Sequence, residues 1–138
     1  MRLYLAGPMR GYPEFNFPAF RQHSAELRAM GHEVFSPAEK DEEEYGSAVS
    51  ASATGDLDEA KLATGFDLRK ALFLDMEFIC KKADGIALLR GWEGSAGACA
   101  ESATAKALGL KRYIQTDDGW REIDRNGHLM SGKLAVVN

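Results

Sequence analysis

The chain has 138 residues, of which 45% are hydrophobic and 28% charged, and a formal net charge of −4. That length and balance describe one soluble domain with a sizeable core, and the acidic excess argues against a nucleic-acid backbone binder, which carries a basic surplus. Two cysteines, Cys80 and Cys99, and three scattered histidines supply neither a disulfide framework nor metal-ligand spacing, so buried free thiols and no metal or cofactor are expected.

The chain opens on Leu3 to Ala6, a short apolar run stopped by Gly7-Pro8. It is too short for a signal segment or a membrane span and reads as a central parallel strand, so a cytoplasmic protein without membrane contact is expected. The loop from Gly7 to Pro13 holds Arg10 between glycines, at the carboxyl end of that strand, where open α/β sheets bind ligands. A guanidinium there suits a phosphate or a carboxylate; the alternative is a solvated loop arginine. Asn16 as N-cap, Pro18 in the first turn and a stripe of Phe17, Phe20, Leu27 and Met30 predict a helix ended by Gly31. His32 to Ser36 is a second strand, which completes a right-handed β-loop-α-β crossover.

From Ala38 to Gly65 the composition shifts to an acidic run, Glu39 to Glu44, and then to Ser, Ala, Thr and Gly. With so little apolar content, residues 38–65 read as a flexible insert, a flap leaving the carboxyl end of the second strand. Asp67 to Ala83 is the next helix. Leu68, Leu72, Asp75 and Ile79 follow one another at spacings of four, three and four, which puts Asp75 on an apolar stripe. A carboxylate there is costly unless it bonds a neighbouring loop, pairs with Arg69 or Lys82, or works in a site. The helix is apolar nearly all round, so the sheet covers one side and a partner subunit the other.

Gly85 to Leu89 is a third, buried strand, followed by the loop Gly91-Trp92-Glu93-Gly94-Ser95-Ala96-Gly97 and an Ala-rich helix from Ala98 to Leu108. A strand, a Gly/Ser loop and a helix N-terminus make an anion site, because free N–H groups and the helix dipole point into the loop. Glu101, read as lying in the first turn, either complements that dipole or faces the crevice as a nucleophile or base. Lys111 to Gln115 is a fourth strand. Asp118-Gly119 and Asn126-Gly127 are turn signals, and Trp120 to Ile123 with Leu129-Met130 forms a hairpin. The whole of 1–138 is thus expected to be one small Rossmann-like three-layer α/β domain with a mostly parallel sheet and a C-terminal hairpin-like extension.

Four stretches carry a family resemblance: Tyr4-Leu5-Ala6-Gly7-Pro8-Met9-Arg10, the Asp75 helix, Ala83-Asp84-Gly85-Ile86, and Gly94-Ser95-Ala96-Gly97-Ala98-Cys99-Ala100-Glu101. Over roughly 1–37 and 66–115 the chain resembles the nucleoside 2-deoxyribosyltransferase superfamily, nearest its short phage and bacterial members with a Gly-Trp-Glu-x-Ser-x-Gly-Ala loop. The resemblance implies a Rossmann-like fold, a symmetric homodimer or higher homo-oligomer, and a nucleoside or nucleotide as the small-molecule partner. It also implies that Glu101 is the nucleophile, that Asp75 orients the sugar and protonates the leaving base, and that Tyr4 lines the base and sugar pocket. The Asp75-to-Asp84 spacing is one residue longer than is usual there.

Two branches of that superfamily imply different activities. Transferases exchange bases between free deoxynucleosides. The 2′-deoxynucleoside 5′-monophosphate N-glycosidases hold a 5′-phosphate with their first loop and a serine ahead of the nucleophile, places matched here by Arg10 and Ser95. Pro8 stands where those hydrolases have a serine, and no C-terminal residue matches the one a neighbouring subunit contributes in either branch. The expectation is therefore hydrolysis of a (deoxy)nucleoside 5′-monophosphate, with base exchange and non-catalytic nucleotide binding as alternatives. Glu101 attacks C1′ of an oxocarbenium-like centre, Arg10, Ser95 and the backbone amides from Gly94 through Gly97 to Ala98 clamp the 5′-phosphate, and Gly7 also contacts the substrate. Trp92 stacks on the base or packs against its loop, and Asp84 caps a strand.

Overall fold

Leu3, Tyr4, Leu5 and Ala6 have no exposed surface, so β1 (Arg2–Ala6) is covered on both faces, as the middle strand of a parallel sheet must be. The structure, a computed structural model, describes residues 1–137. Around β1 it sets β2 (Glu33–Phe35), β3 (Gly85–Leu88), β4 (Lys111–Thr116), β5 (Gly119–Ile123) and β6 (Leu129–Lys133), in the spatial order β2-β1-β3-β4-β5-β6. The first four strands are parallel, with Tyr4 opposite Phe35 on one side and Ile86 on the other. β5 and β6 add an antiparallel hairpin at the far edge. Five helices complete the fold: α1 (Phe17–Ala29), α2 (Pro37–Tyr45), α3 (Leu57–Thr64), α4 (Leu68–Lys81) and α5 (Ala96–Ala107).

The period-two alternation of a strand divides the core into two layers. Leu3 and Leu5 pack with Phe17, Phe20 and Leu27 of α1. Tyr4 and Ala6 turn the other way and pack with Ile79 of α4 and with Ala98 and Ala105 of α5. The expected small three-layer, mostly parallel domain is what forms. Arg112, a buried cation on β4, is fully engaged: it donates to Ser102 Oγ at 3.0 Å and to the Asp124 carbonyl at 2.7 Å. Gly31 combines a φ of +91° with close contact to the C-terminal tail, where a Cβ would meet the Val137 carbonyl at 2.1 Å.

The segment 38–65 is a correction. It carries α2, a 3-10 turn over Ser47–Ser50 and α3, and it buries Ala38, Val49 and Ala60 in the α1-side core. The acidic run is amphipathic once wound into a helix. Ala38 and Asp41 face inward, while Glu42 and Glu39 meet Arg21 and Arg28 of α1 at 2.5 Å each, and Glu44 meets Lys70 of α4. Exposed pairs of this kind are weak singly, so apolar burial holds the segment and the pairs orient it. Its far end is pinned to the β1–α1 loop by Gly11 N–H to the Gly55 carbonyl (3.0 Å) and Glu14 N–H to the Ser52 carbonyl (2.8 Å). Gly55 has a φ of +69°, and a Cβ there would lie 2.4 Å from the Tyr12 carbonyl.

Three local expectations also change. Asn16 precedes α1 but does not cap it: its φ is +62°, and its amide donates instead to the Pro8 carbonyl at 2.9 Å. Glu14 and Phe15 share that left-handed conformation, which costs about 1–2 kcal/mol per non-glycine residue, and the turn drives Phe15 into the core. Cys80 and Cys99 are free, as expected, but Cys80 is exposed and Cys99 half-buried. Cys80 sits on the outer side of α4, and Cys99 lies over the Trp92 and Glu93 carbonyls. No helix among the described residues is long and apolar enough to cross a membrane.

Candidate active site

β1 connects outward to β2, and the chain then crosses back to β3 on the other side of β1. The crevice at the carboxyl ends of β1 and β3 is therefore the topological switch point of the sheet, where open α/β domains bind ligands. A cavity of about 400 Å³ opens there. Its walls come from the Gly7–Tyr12 loop, the N-terminal end of α5, one face of α4, and the 38–65 segment.

On its floor lie Tyr4, Asp75 and Glu101, all buried. Tyr4 Oη donates to Glu101 Oε2 at 2.5 Å, which ties the middle of the sheet to α5. α5 begins at Ala96, two residues earlier than expected, so Glu101 is the sixth residue of the helix and lies in its second turn. The dipole-complementing role is thereby removed, and the carboxyl points into the cavity.

Asp75 reaches the same point from α4, so two carboxyls share one buried space. Burial pushes the Glu101 carboxyl well up, and the Asp75 charge adds to that push, while the Tyr4 hydroxyl opposes it. Burial raises Asp75 as well, and its bonds to Tyr4 and Glu101 hold it down. The two carboxyls therefore share one proton near neutrality, held by the pair rather than by either residue alone. Tyr4 is pushed up by burial first and by the two carboxyls second, so it stays a hydroxyl donor. Neither Arg69 nor Lys82 pairs with Asp75 among the described residues; its partners are those of the cavity.

The residues expected to hold a phosphate also meet there. Ser95 is the N-cap of α5, its hydroxyl accepting from Ala98 N–H at 3.2 Å, which leaves its own O–H free to donate. Gly94 and Gly97 have nothing within 4 Å of where a Cβ would stand, so the space over the helix N-terminus is open. Arg10 lines the mouth, exposed and without an ion-pair partner among the described residues. Gly7 is glycine for packing, since a Cβ would strike Leu89 at 2.8 Å. Of the two places expected for Trp92, the structure shows packing: it lies outside the cavity lining, in a 3-10 turn (Trp92–Gly94), against the α4/α5-side core. Asp84 accepts from Arg2 N–H at 2.7 Å and anchors β1 rather than entering the site.

Sequence reasoning missed Asp41. It is 9% exposed and lines the cavity on the side opposite α5. Burial, and secondly the Asp75 charge, raise its carboxyl to about 7. The signal was present: Ala38, Asp41 and Tyr45 stand three and four apart, the argument that singled out Asp75. Phe15, Val49 and Phe66 were also missed, and they give that side of the cavity an apolar wall.

An open α/β domain with a proton-sharing carboxyl pair at its switch point and a helix N-terminus beside it belongs, by its fold, among the small Rossmann-like three-layer domains. This chain belongs to the family described as Domain of unknown function (DUF4406), which matches residues 1–113. The matched stretch contains every cavity residue named above and ends within β4, before the β5–β6 hairpin. No curated protein matches the chain.

Proposed function

We propose that this protein hydrolyses the N-glycosidic bond of a (deoxy)nucleoside 5′-monophosphate, releasing the base and a sugar phosphate. The observation that carries the reading is the Tyr4–Glu101 hydrogen bond of 2.5 Å beside Asp75, at the floor of a cavity capped by the N-terminus of α5. The resemblance to the nucleoside 2-deoxyribosyltransferase superfamily supports it from the sequence side.

In this reading the 5′-phosphate sits against Ser95, the amides of residues 96–98 and Arg10, where dipole and guanidinium favour an anion. The sugar then lies over Glu101. When the proton of the pair passes to Asp75, Glu101 becomes the carboxylate that attacks C1′, with the Tyr4 hydroxyl stabilising its charge. The C1′–N bond breaks through an oxocarbenium-like state, and water later cleaves the glycosyl ester. Asp75 also orients the sugar.

Leu68, Leu72, Phe73 and Leu74 leave an exposed apolar face on α4, and Leu68 and Leu72 border the cavity as well. A homodimer that covers this face fits both facts. Free Cys80 and Cys99 fit a reducing, cytoplasmic setting.

The test is a panel of nucleosides and 5′-monophosphates, in ribo and deoxy forms, read by chromatography for released base. Release from monophosphates only, lost in Glu101→Ala, is the expected result. Base exchange without net release would move the assignment to a transferase. A thermal shift with one nucleotide and no release from any would make this a binding module and overturn the proposal.

A further inference from the structure

The reaction drawn above leaves one buried acid of the cavity unused. Asp41 lies on the inward side of α2, nine-tenths buried, and its carboxyl has no hydrogen-bond or ion-pair partner among the described residues. The cations of the neighbouring elements are engaged elsewhere: Arg21 and Arg28 of α1 with Glu42 and Glu39, Lys70 of α4 with Glu44, and Lys40 of α2 itself with Glu43. Glu59 of α3 bonds Ser52, the Tyr45 hydroxyl takes Asp67 N–H, and the Ser47–Ser50 turn has nothing that titrates. The charge that faces Asp41 is Asp75, and Arg10 shares the cavity mouth. An unpaired buried carboxyl is costly unless it stays protonated or has work to do.

Its position says which work. α2 follows β2 and α5 follows β3, with β1 between them, and residues of both helices line the cavity. A nucleotide with its phosphate at the N-terminus of α5 and its sugar over Glu101 extends its base toward α2, along Phe15, Val49 and Phe66. Asp41 stands at that base end. Asp75, in contact with Glu101, is occupied by the proton the nucleophile must give up.

We propose that Asp41 is the general acid that protonates the departing base, a role that rests on the N-glycosidase reading of the same cavity. As the Glu101 carboxylate forms its bond to C1′, the C1′–N pair of electrons goes to the base, whose ring nitrogen takes the proton from the Asp41 carboxyl. Asp41 is left as a carboxylate. Water then attacks C1′, the ester bond to Glu101 breaks, and the water proton returns to Asp41. The carboxyl's rise to about 7 keeps the acid form available near neutrality.

The test compares 2′-deoxyguanosine 5′-monophosphate with its N7-methyl derivative, whose cationic base departs without being protonated, each corrected for uncatalysed release. Asp41→Asn should lower kcat on the plain nucleotide by about 10²–10⁴-fold. On the N7-methyl nucleotide that loss should collapse to a few-fold. In the wild-type protein, activity on the plain nucleotide should fall as pH rises through about 7, and on the N7-methyl one that limb should be absent once rates are corrected for the substrate's own loss of its N1 proton, followed by its ultraviolet titration. The wild-type comparison holds even if the variant is poorly folded. Equal losses on both substrates, or the same high-pH limb on both, would overturn this role alone. A wild-type protein that cleaves no monophosphate would overturn the N-glycosidase reading and this role with it.

Discussion

Tyr4→Phe isolates the group that sets the charge of Glu101. The hydroxyl donates to Glu101 Oε2 at 2.5 Å with both residues buried, and the bond is stronger when the acceptor is a carboxylate. A hydrogen bond to a charged group contributes about 1.5–3 kcal/mol, against about 1 kcal/mol for a neutral one. Losing the larger value from the ionised form disfavours ionisation, and at about 1.4 kcal/mol per tenfold the midpoint rises by roughly one pH unit. Phenylalanine keeps the ring stacked on Phe35 at 5.6 Å, so the cost to the fold stays near 1 kcal/mol. The direct assay is a carbon-13 titration of the Glu101 and Asp75 carboxyls, read together because the midpoint belongs to the pair. If the proposed reaction holds, activity at pH 7 falls about tenfold, and the deficit relative to wild type at the same pH shrinks as pH is raised. An unchanged titration, or a loss that does not depend on pH, would refute the argument that Tyr4 tunes the nucleophile.

Other consequences concern stability, affinity and assembly. Asp41, Asp75 and Glu101 hold their protons to higher pH when folded than when unfolded, so the native state binds more protons through that window. Stability against urea should therefore decline from pH 5 to pH 8, by an amount on the order of a few kcal/mol, and Asp41→Asn should flatten the slope. A curve that rises over that range would contradict the buried-acid account; the lowered carboxyls of Asp84 and Asp124 act at lower pH and are exposed. Arg10→Ala should raise KM for a 5′-monophosphate by about 10–100-fold and leave a free nucleoside unaffected, measured as initial rates or by calorimetry. Phe73, 64% exposed on α4, should be central to a dimer, so Phe73→Asp should shift sedimentation toward the monomer; a wild-type protein that is monomeric at high concentration would remove that interface.

The order of strands and helices was legible because it rests on local signals. Gly7-Pro8, Gly31 and Gly109 end elements wherever they stand, and a fully apolar run such as Leu3–Ala6 fits only a strand covered on both faces. Asp75 was legible for the same reason, since a charged residue on an apolar helical stripe is anomalous before any contact is known. The 38–65 segment was misread because composition is a poor guide to a short helix held from outside. Its burial is spread over Ala38, Val49 and Ala60, and its charges find partners on α1 and α4 that are distant in sequence.

What the sequence by itself determined is the set of elements and the kinds of chemistry they carry: a carboxylate after a Gly/Ser loop, an arginine after the first strand, a carboxylate on an apolar stripe. Those depend on neighbours a few residues away. Only the tertiary structure decided which of them share one space. Tyr4 and Glu101 are 97 residues apart and meet at 2.5 Å because β1 lies beside β3 and α5 packs back on both. Asp41 joins them, and Trp92 does not, for the same reason. Where a side chain ends up is set by strand order and helix packing, and whether a carboxyl keeps its proton is set by what then surrounds it.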